Sequence, residues 1–562
     1  MKKTCAVSGG EFEITDGDRA YYEKMEIPLP TLCPDERERR RLMWRNERSL
    51  YKRTCDSCKK NIIAIHHKDV KFPVYCNKCW FGNDFDATKY GRDFDFNRSF
   101  FEQFRELYDE VPQISIINDN GSKSENCEYC QDFSNGKNCY LVIGSWFIKD
   151  SFYSVDCNRV RDVMDCRSVI TESELCYECV DSQRLYNCAF LQDCQNCHDC
   201  WFLKDCIGCS NCFGCVNLRN KEYYFLNEKC TKEEYLKKVE DLQLHKHSNL
   251  NGMRENFVKF VKKFSHRHAQ FFNTIGCDGD HLYNCKNTIG FNTINGEESK
   301  FVDRIDSPKH CYDIVQTGCP QWCCDCITPD NSYMVVFSSW CWNCKNTACS
   351  DNCRGSGELF GCISLQRKNY CILNKQYSKE DYFVLREKII EHMKGTHSTH
   401  SVRSGSEQSS EWGEFFPAEM TPFGYNESDA QGYHPLTEKE VLARGWHWKE
   451  AEKTDYKLAT LSMVPDSIHD VRDAICDEIL ACESCKKNYK IQPQEFKFYE
   501  KMKLPIPHKC FDCRHADRMA IRNPQKLFER SCDECSTPIK TTFSPEKKEQ
   551  VLCEKCYLQL VK

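Results

Sequence analysis

Within roughly the last eighty residues, eight cysteines fall into four Cys-x-x-Cys knuckles, Cys482/Cys485, Cys510/Cys513, Cys532/Cys535 and Cys553/Cys556. A knuckle of this spacing presents two thiolates about a tetrahedral edge apart. Two knuckles therefore close a four-sulfur shell around Zn2+, an ion with no geometric preference of its own. Disulfides or buried thiols would give no reason for the two-residue gap to recur four times.

The same stretch stands at the other end of the chain, 477 positions earlier and without a gap. Cys5, Cys33, Cys55, Cys58, Cys76 and Cys79 correspond to Cys482, Cys510, Cys532, Cys535, Cys553 and Cys556, and Tyr22-Glu23-Lys24-Met25 corresponds to Tyr499-Glu500-Lys501-Met502. This is an internal duplication, and its losses show which knuckles share a metal. Ser8 and Glu36 replace the partners of Cys5 and Cys33, so both losses fall in the first two knuckles. Consecutive pairing confines that damage to one site, whereas cross-bracing would spread it over two. The expectation is about three structural Zn2+ ions, on Cys55/Cys58/Cys76/Cys79, on Cys482/Cys485/Cys510/Cys513 and on Cys532/Cys535/Cys553/Cys556, with none on Cys5 and Cys33.

A second chemistry is suggested by Arg37, Arg39, Arg40, Arg41, Arg45, Arg48, Lys52 and Arg53, set against only Glu38 and Glu47 and interleaved with Trp44 and Tyr51. On a metal-braced helix, such a surplus could bind phosphate while the aromatics stack on bases. The plain alternative is a helix face whose arginines pair with acids elsewhere in the chain. The carboxy-terminal copy keeps a weaker version in Arg514, Arg518, Arg522, Lys526 and Arg530. Catalysis finds little support: there is no glycine-rich phosphate loop, no His-Glu-x-x-His and no Gly-x-Ser-x-Gly, and a closed four-cysteine site leaves no coordination position open.

These groups need a scaffold. The chain has 562 residues, a formal charge of −6 and 44 cysteines. The length suits several domains, and the charge gives no global case for nucleic acid. Neither a secretory leader nor a stretch of about twenty apolar residues is present, so the expectation is a cytoplasmic protein without membrane association, its cysteines reduced or metal-bound. The division expected is a zinc-ribbon module over 1–89, a helical connector over 90–126, cysteine-rich β-solenoid units over 127–250 and 251–394, a flexible linker over 395–420, a helical connector over 421–475 and a double zinc-ribbon module over 476–562.

The solenoid expectation rests on a twelve-residue repeat, in which Cys188, Cys194, Cys197 and Cys200 are followed by Cys200, Cys206, Cys209 and Cys212, and Phe190-Leu191 by Phe202-Leu203. Further Cys-x-x-Cys pairs there, such as Cys176/Cys179 and Cys341/Cys344, read as stacked thiols filling a narrow interior. Cys323, Cys324 and Cys326 are the group best placed to be an exception. Helices are expected from Phe100, capped by Asn97 or Ser99, after the caps Thr231 and Ser378, over 251–270, over 435–443 and over 466–480. His397, His400 and His469 lie in polar sequence and read as solvated.

The segments YYEKMEIPLP, WRNERSLYKR, YGRDFDFNRSFFEQF and FGYNESDAQGYHPLTEKEVLARGW, with the cysteine-rich middle, resemble a family of uncharacterised cysteine-rich zinc-ribbon proteins from uncultured small-genome bacteria. The resemblance implies the architecture and an intracellular bacterial setting, and no activity. The fold class expected is a multi-domain α+β protein with zinc-ribbon modules at both termini flanking a duplicated parallel β-solenoid. The leading functional expectation is a non-enzymatic zinc protein binding RNA or ribosomes through the Arg37–Arg53 segment. The alternatives are a protein–protein assembly scaffold with structural zinc, and a thiol redox or metal-storage protein.

Overall fold

Every third residue from Asn187 to Asp205 turns through the left-handed region. In the computed structural model Asn187, Phe190, Asp193, Asn196, Asp199, Phe202 and Asp205 have φ between 50° and 61°. Asparagine and aspartate tolerate this region better than other residues with a Cβ, which explains their frequency there. The residue after each turn, from Cys188 through Leu191, Cys194, Cys197, Cys200 and Leu203 to Cys206, is no more than 1% exposed. The Cys-x-x-Cys spacing of the middle is thus the span between successive turns, and each thiol is a small interior group. These thiols also donate to carbonyls, as Cys197 Sγ does to Gln195 O at 3.3 Å and Cys206 O at 3.5 Å.

The structure describes residues 1–119, 122–395, 410–450, 459–460 and 463–561. They divide into two compact units that do not follow chain order: 1–117 with 271–450, and 118–270 with 451–562. Each unit joins one terminal cysteine module to one large sheet. The sheet follows its module in the first unit and precedes it in the second, so the two units are circularly permuted relative to each other. The class is mixed α/β, with large, mostly parallel sheets and cysteine clusters near both termini.

In the second unit, strands from Glu125–Glu128 to Glu222–Phe225 form a parallel sheet, and Glu228–Lys229 closes it antiparallel. Most rows lie beside residues twelve positions on, as in Cys127↔Cys139, Cys176↔Cys188 and Trp201↔Phe213, and those from Val160 to Ile170 beside residues thirteen on. An extra residue enters where the register passes from Asn158↔Ile170 to Val160↔Ser173, and Thr171 and Glu172 both have positive φ there, as in a β-bulge. The first unit's sheet begins with an eleven-residue register, Phe271↔Leu282 and Leu282↔Thr293, and continues with twelve, Lys300↔Tyr312 and Tyr312↔Cys324. The short rows need glycine: a Cβ on Gly279 would meet Gly290 O at 1.7 Å.

Helices follow both sheets. Thr231 caps Lys232–Asp241 through a capping box with Glu234, and Ser378 Oγ accepts from Asp381 N–H at the start of Lys379–Gly395. The helix Phe100–Glu110 is capped by Ser99 and buries Phe100, Phe101, Phe104, Leu107 and Tyr108 in the first unit's core. The Glu411 carboxylate accepts from Phe100 N–H at 3.0 Å and Phe101 N–H at 3.1 Å. Of the linker expected over 395–420, residues 396–409, with His397 and His400, lie outside the described residues. From Ser410 onward the segment is core, since Trp412, Phe415 and Phe416 are buried.

Two expected helices differ. That over 251–270 is His247–Val261, because His266–Arg267 pairs with Val551–Leu552 instead. That over 466–480 contains only the 3₁₀ turns Ile468–Asp470 and Asp473–Cys476, because Ser467 bridges to Lys246 and Val471 and Arg472 are extended. The helix expected over 435–443 is Glu438–Ala443, with Thr437 as its cap. Among the described residues no helix is long and apolar enough to cross a membrane.

Candidate metal centres and the arginine rows

Each cysteine module is built twice over from one local plan. A short hairpin, such as Tyr51–Thr54 with Asn61–Ala64, carries the first knuckle in its turn, and the third cysteine is the N-cap of a helix that carries the fourth in its first turn. Helix N-termini favour anionic sulfur. Backbone amides add to this, with Cys76 N–H donating to Cys55 Sγ and Cys553 N–H to Cys532 Sγ, both at 3.2 Å.

The cysteines gather as Cys55/Cys58/Cys76/Cys79, Cys482/Cys485/Cys510/Cys513 and Cys532/Cys535/Cys553/Cys556, with the ligand atoms of each group within 4.8 Å of one another. These are the groups given by consecutive pairing of knuckles. Sulfurs from opposite knuckles approach to 3.9 Å (Cys58–Cys76), 3.6 Å (Cys485–Cys510) and 3.7 Å (Cys535–Cys553). A tetrahedral ion with bonds of about 2.3 Å requires an edge of about 3.8 Å, so the residues fit a thiolate-bound metal. Each group also holds at least one thiol acidic. The Lys60 amide lowers Cys58 to about 7. Burial opposes ionisation of Cys482, but the amides of Cys485, Cys510 and Ser484 outweigh it and bring the thiol to about 6. The Thr537 hydroxyl and amide bring Cys535 to about 6.

The fourth position keeps the fold with only two of the four sulfurs, Cys5 and Cys33. Ser8 Oγ lies 3.8 Å from Cys33 Sγ, and Glu36 is ion-paired with Arg39 and, at 3.8 Å, with Arg444. In the sheets, Cys323 and Cys326 donate to Gln321 O and Cys324 O, and among the described residues neither they nor Cys324 join a group of metal-ligating atoms.

The basic segment is not one helix. It is the helix Pro34–Leu42, a turn, and the strand Tyr51–Thr54. Nor is it an open cationic face. Arg37 Nε binds Asp313 at 3.0 Å; Arg41 binds Asp325 at 2.7 Å and Asp313 at 3.3 Å; Arg40 binds Asp325 and Glu414. Arg45 binds Glu47 at 2.6 Å, with Gln316 and Thr328 as further acceptors. Arg39 pairs with Glu36 and Arg53 with Asp56, while Arg48 is half-buried and Lys52 exposed. The guanidiniums of Arg37, Arg40, Arg41 and Arg45, expected to meet phosphate, are thus paired with carboxylates of the same unit.

The second unit repeats the device. Arg514 and Arg518 bind Asp165 at 3.0 and 2.9 Å, and Arg522 binds Asp181 at 2.8 and 3.0 Å. Arginines at i and i+4 of a module helix, Arg37/Arg41 and Arg514/Arg518, thus lock onto turn aspartates of the sheet in both units, while Arg45 and Arg522, just past the helix ends, bind Glu47 and Asp181. Asp313, Asp325, Asp165 and Asp181 escaped sequence reasoning, and the one available signal was the twelve-residue spacing of Asp313 and Asp325 within the repeat. No protein-family model matches the chain, and no curated protein matches it.

Proposed function

We propose that the chain is a non-enzymatic assembly scaffold. In this reading Zn2+ fills the three four-cysteine sites, each twelve-residue sheet winds as a parallel β-solenoid, and each module is clamped to its solenoid, leaving the outward rows to protein partners. The observation that carries it is the arginine row. A module built to present cations to phosphate would leave them at the surface, whereas in both units they are buried against aspartates. Outward apolar groups such as Phe147 and Tyr186, 53% and 52% exposed on the second unit's sheet, suit protein contact.

The test is capture of the full-length protein from its own cells, with and without nuclease, alongside a Phe147→Asp/Tyr186→Asp variant. A fixed set of proteins that survives nuclease and is lost with the variant supports the scaffold. RNA or ribosomal subunits released by nuclease or salt would overturn it in favour of nucleic-acid binding through the basic segment. A thiol redox or storage role would instead appear as metal bound well beyond the closed sites, or as sheet cysteines that oxidise reversibly.

A further inference from the structure

The second unit contains a donor set unlike the thiolate sites. In every cysteine module the residue after the first knuckle cysteine donates its backbone N–H to the carbonyl two residues before the third cysteine: Ala6 to Thr31, Asp56 to Val74, Glu483 to His508 and Asp533 to Val551. This bond sets two side chains next to each other at the flank of the knuckle. Only in the Glu483/His508 copy are both metal-ligating residues. Their side chains meet, His508 Nδ1 lying 2.7 Å from Glu483 Oε1.

A third donor comes from a different element. Lys246 bridges antiparallel to Ser467, and Asp466 accepts from the N–H groups of His247 and Ser248, fixing the start of the helix His247–Val261. The His247 ring is thereby stacked on that of His508, with centroids 3.5 Å apart and planes 16° from parallel. The ligand atoms of His247, Glu483 and His508 all lie within 4.8 Å of one another.

One further feature separates this cluster from an ordinary histidine–carboxylate pair. With Nδ1 donated to Glu483, His508 turns Nε2 inward, where it is buried without a hydrogen-bond partner. A buried lone pair with nothing to accept is costly. A ligating histidine whose other nitrogen donates to a carboxylate is the usual arrangement around a bound metal.

We propose that His247 and His508, with Glu483 holding His508 by its other ring nitrogen, form a further cation site, for a borderline divalent ion of the Zn2+ or Co2+ class, separate from the neighbouring Cys482/Cys485/Cys510/Cys513 centre. Imidazole ligands match such ions. Two protein ligands leave coordination positions open to water or to a partner's side chain, which the closed thiolate sites cannot offer.

The probe is Co2+ added to metal-free full-length protein under reducing conditions, followed by absorbance and by metal analysis after desalting. Wild type should take one equivalent beyond the thiolate sites, and that equivalent should add no thiolate-to-cobalt charge transfer. His247→Ala, far in sequence from every ligating cysteine, should lose that equivalent and keep the charge-transfer bands. Glu483→Gln, which preserves shape, should weaken it by at least about tenfold. Cys5→Ser/Cys33→Ser should retain it. Saturation of wild type at the thiolate sites alone, undiminished uptake by His247→Ala, or loss of the extra equivalent in Cys5→Ser/Cys33→Ser would overturn the assignment.

Discussion

Replacing Asp313 with asparagine keeps its shape and removes the charge that Arg37 and Arg41 share. Asp313 is fully buried, with the two guanidiniums at 3.0 and 3.3 Å, and their own side chains are 5% and 1% exposed. Removing one partner from a buried ion pair costs about 3–5 kcal/mol, mostly as the uncompensated charge left behind. Arg41 retains Asp325 at 2.7 Å, which places Asp313→Asn at the lower end, about 3 kcal/mol, or roughly a hundredfold rise in the population of undocked helix. Hydrogen exchange read by mass spectrometry checks this directly. Amides of Pro34–Leu42 should exchange about a hundredfold faster, and those of Phe511–Ala520 in the other unit should not change. Asp165→Asn should give the mirror result through Arg514 and Arg518. Arg41→Met combined with Asp313→Asn should cost less than the two single changes summed, because removing both partners leaves less unpaired charge. Exchange of Pro34–Leu42 within about threefold of wild type, or equal acceleration in both units, would refute the clamp.

Three other outcomes follow from the sites. Cys76→Ser should lower bound metal by one ion and speed hydrogen exchange where Val74–Tyr75 pairs with Gln113–Ile114, leaving the two carboxy-terminal sites filled; metal analysis with local exchange checks it. In metal-loaded protein, iodoacetamide should label the half-buried Cys33 while the more exposed Cys58 and Cys535 stay protected, and peptide mapping that finds Cys33 shielded until a chelator is added would restore a metal there. Burial raises the Asp351 carboxyl to about 7 against the pull of Ser339 and the Asn352 amide. The fold therefore holds that proton longer than the unfolded chain does. The stability this gives is complete below about pH 4 and is lost as pH rises towards about 7. Asp351→Asn should gain on wild type by about 2 kcal/mol between about pH 5.5 and about pH 8, measured from urea midpoints.

The cysteine groups were legible because ligand spacing is local and the duplication recorded its own damage: Ser8 and Glu36 sit in knuckles that share one site, and Glu36 has since turned to Arg39 and Arg444. The twelve-residue register was legible for a similar reason, since Cys176 and Cys188 pair across the interval at which they recur. The destination of the arginines was not legible. A charge run carries no mark of whether its counter-ions lie in solvent or nearly three hundred residues away, as Asp313 and Asp325 lie from Arg37 and Arg41. The aspartates themselves were camouflaged, because aspartate is also what the turns favour for conformational reasons: Asp313 and Asp325 have φ of 59° and 50°.

That double use explains how one plan survives in two chain orders. A sheet whose turns must adopt left-handed backbone will carry Asp and Asn on its outside at regular intervals whether or not anything docks there. A module helix with arginines at i and i+4 needs only such a row to find counter-ions, and the cysteine at its N-cap, Cys33 or Cys510, marks the end of the helix from which the row is measured. Neither requirement depends on whether the module precedes its sheet, as in the first unit, or follows it, as in the second. The arginine–aspartate clamp is then the feature that should persist if either unit is rebuilt with its halves exchanged in order. A permuted first unit, with 271–450 placed before 1–117, should still protect the amides of Pro34–Leu42, and should lose that protection with Asp313→Asn.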